Sequence, residues 1–221
     1  EMTSSLVGSE MCKETDSKII VATLLVGLGF YLVSNVNHFI SIPYIGYFSL
    51  LIFGTIAYCL VFGFKAYEKL YQKPVQFWKN FIKYFLIAQL FSFVLGILIV
   101  AITHTHKGNP AADNPIWFFF LIMPFALIGE ELFSIYFYDL FKLKASPLVA
   151  NILVSIIFGL IHYWTYFNGS ILLTILQVIA LQGSARFWFN RSYEQSNSIL
   201  TSFAVHYLFD LAGFMLSFLL H

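Results

Sequence analysis

Seven apolar stretches fill most of this chain, each near the ~20 residues that an α-helix needs to cross a bilayer. They run roughly over 18–36, 42–64, 81–103, 116–141, 147–166, 171–190 and 199–220. Of 221 residues, 59% are apolar and only 10% charged, against about 25% charged in an ordinary soluble chain. So few charges cannot clothe a surface of that size in water, which makes lipid the natural solvent. The expected fold is all-α: a polytopic transmembrane helix bundle of about seven spans. No repeat, low-complexity tract or separate soluble domain interrupts it. The net charge of +1 gives no case for nucleic acid.

Lys13 and Lys18 precede the first apolar run, but no small-residue cleavage site follows it, so it reads as a retained span. Met2 and Met11 are the two candidates for a natural start, and residues 1–17 read as an N-terminal tail before a single membrane domain, 18–221. With a cytoplasmic N-terminus, Lys13, Lys18, Lys65, Lys69, Lys73, Lys79, Lys83, Lys142, Lys144, Arg186 and Arg191 fall on the cytoplasmic side, and only Lys107 faces outward. That asymmetry is the positive-inside pattern. Ten of the twelve basic residues are lysine, a bias that fits an AT-rich bacterial genome and hence a plasma-membrane location. Residues 65–83, which mix lysines with aromatic residues around Pro74, are expected to lie in the cytoplasmic interface. The segment His104–Pro115, with His104, His106 and Asp113, reads as a solvated outer loop. Cys12 and Cys59 read as free thiols, with no CxxC pair.

Several costly residues lie inside the spans. An acid at a helix centre costs about 2.5–3.5 kcal/mol on insertion scales, and such residues mark function by default. Glu130 and Glu131 fall in the fourth span, His162 in the fifth, and His206 and Asp210 in the seventh. At ~1.5 Å per residue they lie roughly 10–22 Å from the cytoplasmic helix ends, within one layer given the uncertainty of the boundaries. His206 and Asp210, spaced i and i+4, share a face that continues through Ser202, Gly213 and Ser217. Asn151, Ser155, Gly159 and His162 form a stripe on the fifth span, and Glu130, Ser134 and Tyr138 on the fourth. Polar, small-residue stripes on three helices are expected to face one another. Pro124 is expected to kink the fourth span. Gln177 and Gln182 read as interhelical hydrogen-bonding groups.

This set supports hydrolysis. Glu130 with His162 nearby could bind and deprotonate water, and His206 could donate to a developing oxyanion. Other designs lack their signatures: there is no HExxH, no GxSxG and no cysteine with an evident histidine partner. A zinc ion on His162, His206 and a carboxylate is the alternative to glutamate-activated water. A purely structural cluster, holding helices together without chemistry, is the plainer alternative.

The residues Glu130-Glu131-Leu132-Phe133-Ser134-Ile135, Phe158-Gly159-Leu160-Ile161-His162 and His206-Tyr207-Leu208-Phe209-Asp210 follow the order EExxxR, FxxxH and HxxxN or HxxxD. Over 116–220 the chain thereby resembles the CAAX protease and bacteriocin-processing (CPBP) family of intramembrane proteases, which includes the type II CAAX prenyl endopeptidases. The resemblance implies that Glu130 activates water with help from His162, that His206 and Asp210 stabilise the oxyanion, and that Glu131 supports the site. Two positions depart from the pattern. Ile135 stands where the motif has arginine, and Arg186 on the sixth span is the expected substitute. Asp210 stands where asparagine is usual, and an ionised aspartate cannot donate to an oxyanion. The expected function is an intramembrane endopeptidase acting on peptides or membrane-tethered segments, in peptide maturation or bacteriocin self-immunity. The competing readings are a degenerate regulator that binds a membrane partner and a proton or ion carrier.

Overall fold

A computed structural model describes the backbone of residues 2–103 and 113–220; the side chains of 2–15, 37, 103 and 216–220 are outside the description. His104, His106 and Lys107 of the expected outer loop, and the side chains of Cys12, Lys13 and Ser217, therefore lie outside the described residues. The described chain is helical, in the order α1 (Met2–Asn35), two 3₁₀ turns, α2 (Ser49–Phe62), α3 (Phe64–Leu70), α4 (Phe77–Thr103), α5 (Ile116–Leu121), α6 (Met123–Lys142), α7 (Pro147–Ile161), α8 (Ile171–Val178), a π-helical turn (Ile179–Gly183), α9 (Ser184–Ser196) and α10 (Ile199–Leu220).

The distribution of polarity is that of a membrane bundle. On α4, Leu86, Leu90, Phe93 and Ile97 form an outward stripe with 55–68% of their surface exposed. Inside, Asn151, Thr174, Arg186 and Asn190 are buried. Water would not tolerate such a patch, whereas lipid does. Among the described residues, four segments are long and apolar enough to cross a membrane: Asp16–Asn35, Ile45–Phe62, Phe77–Ile102 and Ile171–Ser196. Pro147–Ile161 and Ile199–Met215 are shorter apolar helices. The chain is a polytopic helical membrane protein.

Three of the expected spans differ in ways that bear on the site. The fourth is broken into α5 and α6 at Ile122, where a simple kink was expected. Pro124 has no N–H to give, and its ring crowds the carbonyl four residues back; it sits instead in the first turn of α6. The fifth span stops at Ile161, not 166. Its last turn tightens through His162 N→Gly159 O and Tyr163 N→Leu160 O, the i→i−3 pattern common at helix ends. The sixth runs on to Ser196 through the π turn and ends where Asn197 takes a left-handed conformation (φ 53°).

Helices α1, α2, α6 and α7 share one apolar core, in which Val26, Leu50, Leu132, Ile135, Tyr136 and Phe158 are buried. A second core joins α4, α9 and α10 through Tyr84, Ala88, Ala185, Phe189 and Val205. At Gly129 the backbone of α6 touches that of α2: a Cβ there would stand 2.7 Å from Leu51 N. This contact fixes which side of α6 faces α2 and turns the following glutamate away from it, since successive helix residues are about 100° apart. The segment after α3 is tied to the α9–α10 junction by Val75 N→Ser196 O (2.8 Å) and Ser198 Oγ→Gln72 O (2.7 Å).

Candidate active site

Glu130, His162, His206 and Asp210 line one cavity of about 350 Å³. Aromatic side chains, among them Phe30, Phe118, Phe158, Phe189, Phe209 and Phe214, share its wall with polar ones. Four helices deliver the polar groups. Helix α6 supplies the two glutamates, the end of α7 supplies His162, α9 supplies Arg186, and α10 supplies His206 and Asp210 on one face.

Behind the cavity wall lies a buried ion pair. Arg186 Nη1 donates to Glu131 Oε1 at 2.7 Å, and both side chains are fully shut off from solvent. The guanidinium is held between rings, 4.4 Å from the centroid of Phe158 and 5.0 Å from that of Phe189, an arrangement that suits its planar, weakly hydrated cation. His206 Nδ1 stands 2.8 Å from the same Glu131 oxygen and 2.9 Å from Arg186 Nη2. Nδ1 cannot both donate and accept. A carboxylate paired to arginine only accepts, so the Nδ1–H belongs to Glu131. That bond turns Nε2 toward the cavity, 3.8 Å from Glu130 Oε2 and 3.6 Å from Asp210 Oδ2. Stacking on Phe189, with centroids 4.6 Å apart, fixes the ring plane.

His162 is oriented by a different device. It caps α7, and its Nδ1 lies 2.7 Å from Phe158 O. A carbonyl oxygen only accepts, so Nδ1 carries hydrogen and the neutral ring has its lone pair on Nε2. The bond also satisfies one of the carbonyls that a helix C-terminus leaves unpaired. Glu130 and Asp210 keep 27% and 23% of their side-chain surface open, whereas His206 keeps 4%. The two cavity carboxylates are reachable, and the elements that aim the imidazoles are not.

Other expected site residues go elsewhere. Asn151 and Ser155 serve helix packing: Asn190 Nδ2 donates to Asn151 Oδ1 (2.8 Å), Asn151 Nδ2 to Phe187 O (3.1 Å) and Ser155 Oγ to Asn151 O (2.7 Å). Of that stripe only His162 reaches the cavity. Tyr138 is buried beside Tyr193, away from it. Gln182, expected to bond between helices, lines the cavity. Thr165 and Tyr166, just past α7, also line it; the expected fifth span ran to 166 and gave them no role. Among the described residues no group of three or more His, Cys, Asp or Glu side chains could hold a metal ion.

The membrane bundle thus gathers acids and oriented imidazoles around one cavity, an arrangement compatible with hydrolysis inside a bilayer. Residues 112–212 match the family described as "Rce1-like: Type II CAAX prenyl endopeptidase Rce1-like". The matched segment, a little under half of the chain, holds Glu130, Glu131, His162, Arg186, His206 and Asp210 and is similar to this family of membrane proteases. Among curated proteins and among solved structures, nothing matches the chain.

Proposed function

We propose that the chain is an intramembrane endopeptidase in which Glu130 and His162 activate a water molecule. The observation that carries this reading is the shared cavity, onto which Glu130 opens and beside which the His162 ring has its Nδ1–H engaged by Phe158 O. That bond leaves Nε2 free to accept a hydrogen bond from the water, while the Glu130 carboxylate takes the water's other proton. The water oxygen bonds to the scissile carbonyl carbon, and the carbonyl becomes an oxyanion. His206, doubly protonated, offers its Nε2–H to that oxyanion. When the C–N bond breaks, the proton held by Glu130 passes to the leaving amine. Glu131 and Arg186 act behind the wall, fixing His206.

Substrates are peptides or membrane-tethered protein segments, with the CAAX-type peptides named by the family as the first class to try. In a bacterial plasma membrane, the CPBP resemblance supports a role in peptide maturation or bacteriocin self-immunity. The test is mass spectrometry of products from proteoliposomes given a pool of apolar peptides and farnesylated CAAX peptides. The wild-type chain is expected to cleave, and Glu130→Gln, at equal protein level, is expected not to. Equal cleavage by both rejects the assignment.

A further inference from the structure

Gln182 is an uncharged polar side chain in the middle of a membrane helix, and it faces the reaction cavity. The helix is modified to bring it there. Residues Ile179–Gly183 form a π turn, an insertion that rotates the preceding helix relative to the following one and recurs at functional sites. The turn is pressed against α7 at two glycines. A Cβ on Gly159 would stand 2.8 Å from Val178 O, and one on Gly183 would stand 2.9 Å from Ser155 O. Ser184 Oγ donates to Ala180 O, engaging a carbonyl within the irregular turn. With the turn so fixed, Gln182, Ala185 and Phe189 follow one face into the cavity, while Arg186, one residue further round, reaches Glu131.

The Gln182 amide already has one commitment. It lies in hydrogen-bonding reach of the Tyr166 hydroxyl, and Tyr166 is itself buried, at 5% exposure. The amide has two N–H donors and an oxygen with two lone pairs, so one such bond leaves Oε1 able to accept another. Polar side chains share the cavity wall with aromatic ones, and a peptide N–H left unpaired there would cost about 1–3 kcal/mol. The geometry points to Gln182 as a substrate-binding residue: its Oε1 accepts a backbone N–H of the peptide beside the scissile bond and sets that bond's register over Glu130. This rests on the endopeptidase reading and adds how the site recognises a peptide.

The test is a binding cycle that needs no turnover. Both proteins carry Glu130→Gln, one with Gln182 and one with Gln182→Leu, in nanodiscs. The probes are a fluorescein-labelled farnesylated CAAX peptide and its analogues N-methylated at each backbone amide in turn. One N-methyl position should weaken binding roughly five- to tenfold for the Gln182 protein, as loss of one hydrogen bond would, and have no effect with Gln182→Leu. Equal penalties in both proteins at every position, or no binding of the peptide to either, overturns the proposal. Cleavage by the wild type and not by Glu130→Gln is measured separately, so the endopeptidase reading stands or falls on its own.

Discussion

Arg186 on α9 and Glu131 on α6, 55 residues apart in sequence, meet at 2.7 Å with no exposed side-chain surface on either. The pair joins two helices and carries His206 on the shared carboxylate oxygen. Removing one partner leaves the other charge buried alone, which costs about 3–5 kcal/mol. Arg186→Ala is therefore expected to lower the unfolding midpoint of the detergent-purified protein sharply. Glu131→Leu with Arg186→Met should recover much of that stability and none of the activity. An Arg186→Ala protein with unchanged midpoint and activity would refute the assigned role of the pair.

Position 135 gives the converse experiment. Ile135 is fully buried in the apolar core with Leu132 and Tyr136, and Glu131 already has its guanidinium from another helix. Ile135→Arg, which recreates the family motif, inserts a second cation beside a carboxylate already paired with Arg186. It is expected to fail to accumulate in the membrane, whereas Ile135→Leu should cost less than about 1.5 kcal/mol. Full accumulation and activity of Ile135→Arg would contradict this packing.

Much of the architecture was legible from hydropathy alone, because intramembrane helices satisfy their own backbone and leave long apolar runs. The site was legible through expense: five polar residues in apolar spans need a reason, and the cavity receives Glu130, His162, His206 and Asp210. Less legible were features set by a few local contacts. The end of α7 depends on the His162 side chain bonding Phe158 O, and nothing in the apolar run Ile152–Ile161 announces it. The π turn has no composition of its own, so Gln182 read as a packing residue. The polar stripe on α7 mixed two purposes, since Asn151 and Ser155 bond to α9 and to each other, and periodicity cannot separate glue from chemistry.

Gly129 offers a test of how the glutamates are aimed. A Cβ there would stand 2.7 Å from Leu51 N and 3.1 Å from Leu50 C, both backbone atoms that cannot swing aside. Gly129→Ala is expected to push α6 off α2, lowering both stability and cleavage. Gly27→Ala, where nothing lies within 4 Å, is the control, and should gain up to about 1 kcal/mol from reduced chain entropy. Thermal unfolding of the two variants side by side checks the contrast; equal midpoints would count against the close approach.

His162 separates capping from catalysis. His162→Ala removes one helix-end hydrogen bond, a loss of about 1 kcal/mol, and on the proposed mechanism also removes the acceptor for the attacking water. Cleavage is expected to fall about 10²- to 10⁴-fold while the unfolding midpoint moves little. A loss of activity that merely tracks loss of folded protein would assign His162 to structure alone.

The central claim is that Glu130 and His162 act on the same water. The most direct measurement is a double-mutant cycle on the single-turnover cleavage rate in proteoliposomes, using Glu130→Gln, His162→Ala and the combined variant. Groups that work as a unit are strongly non-additive, so the combined variant is predicted to be no slower than the worse single one. Losses that multiply, with the combined variant slower by the product of the two, would contradict it.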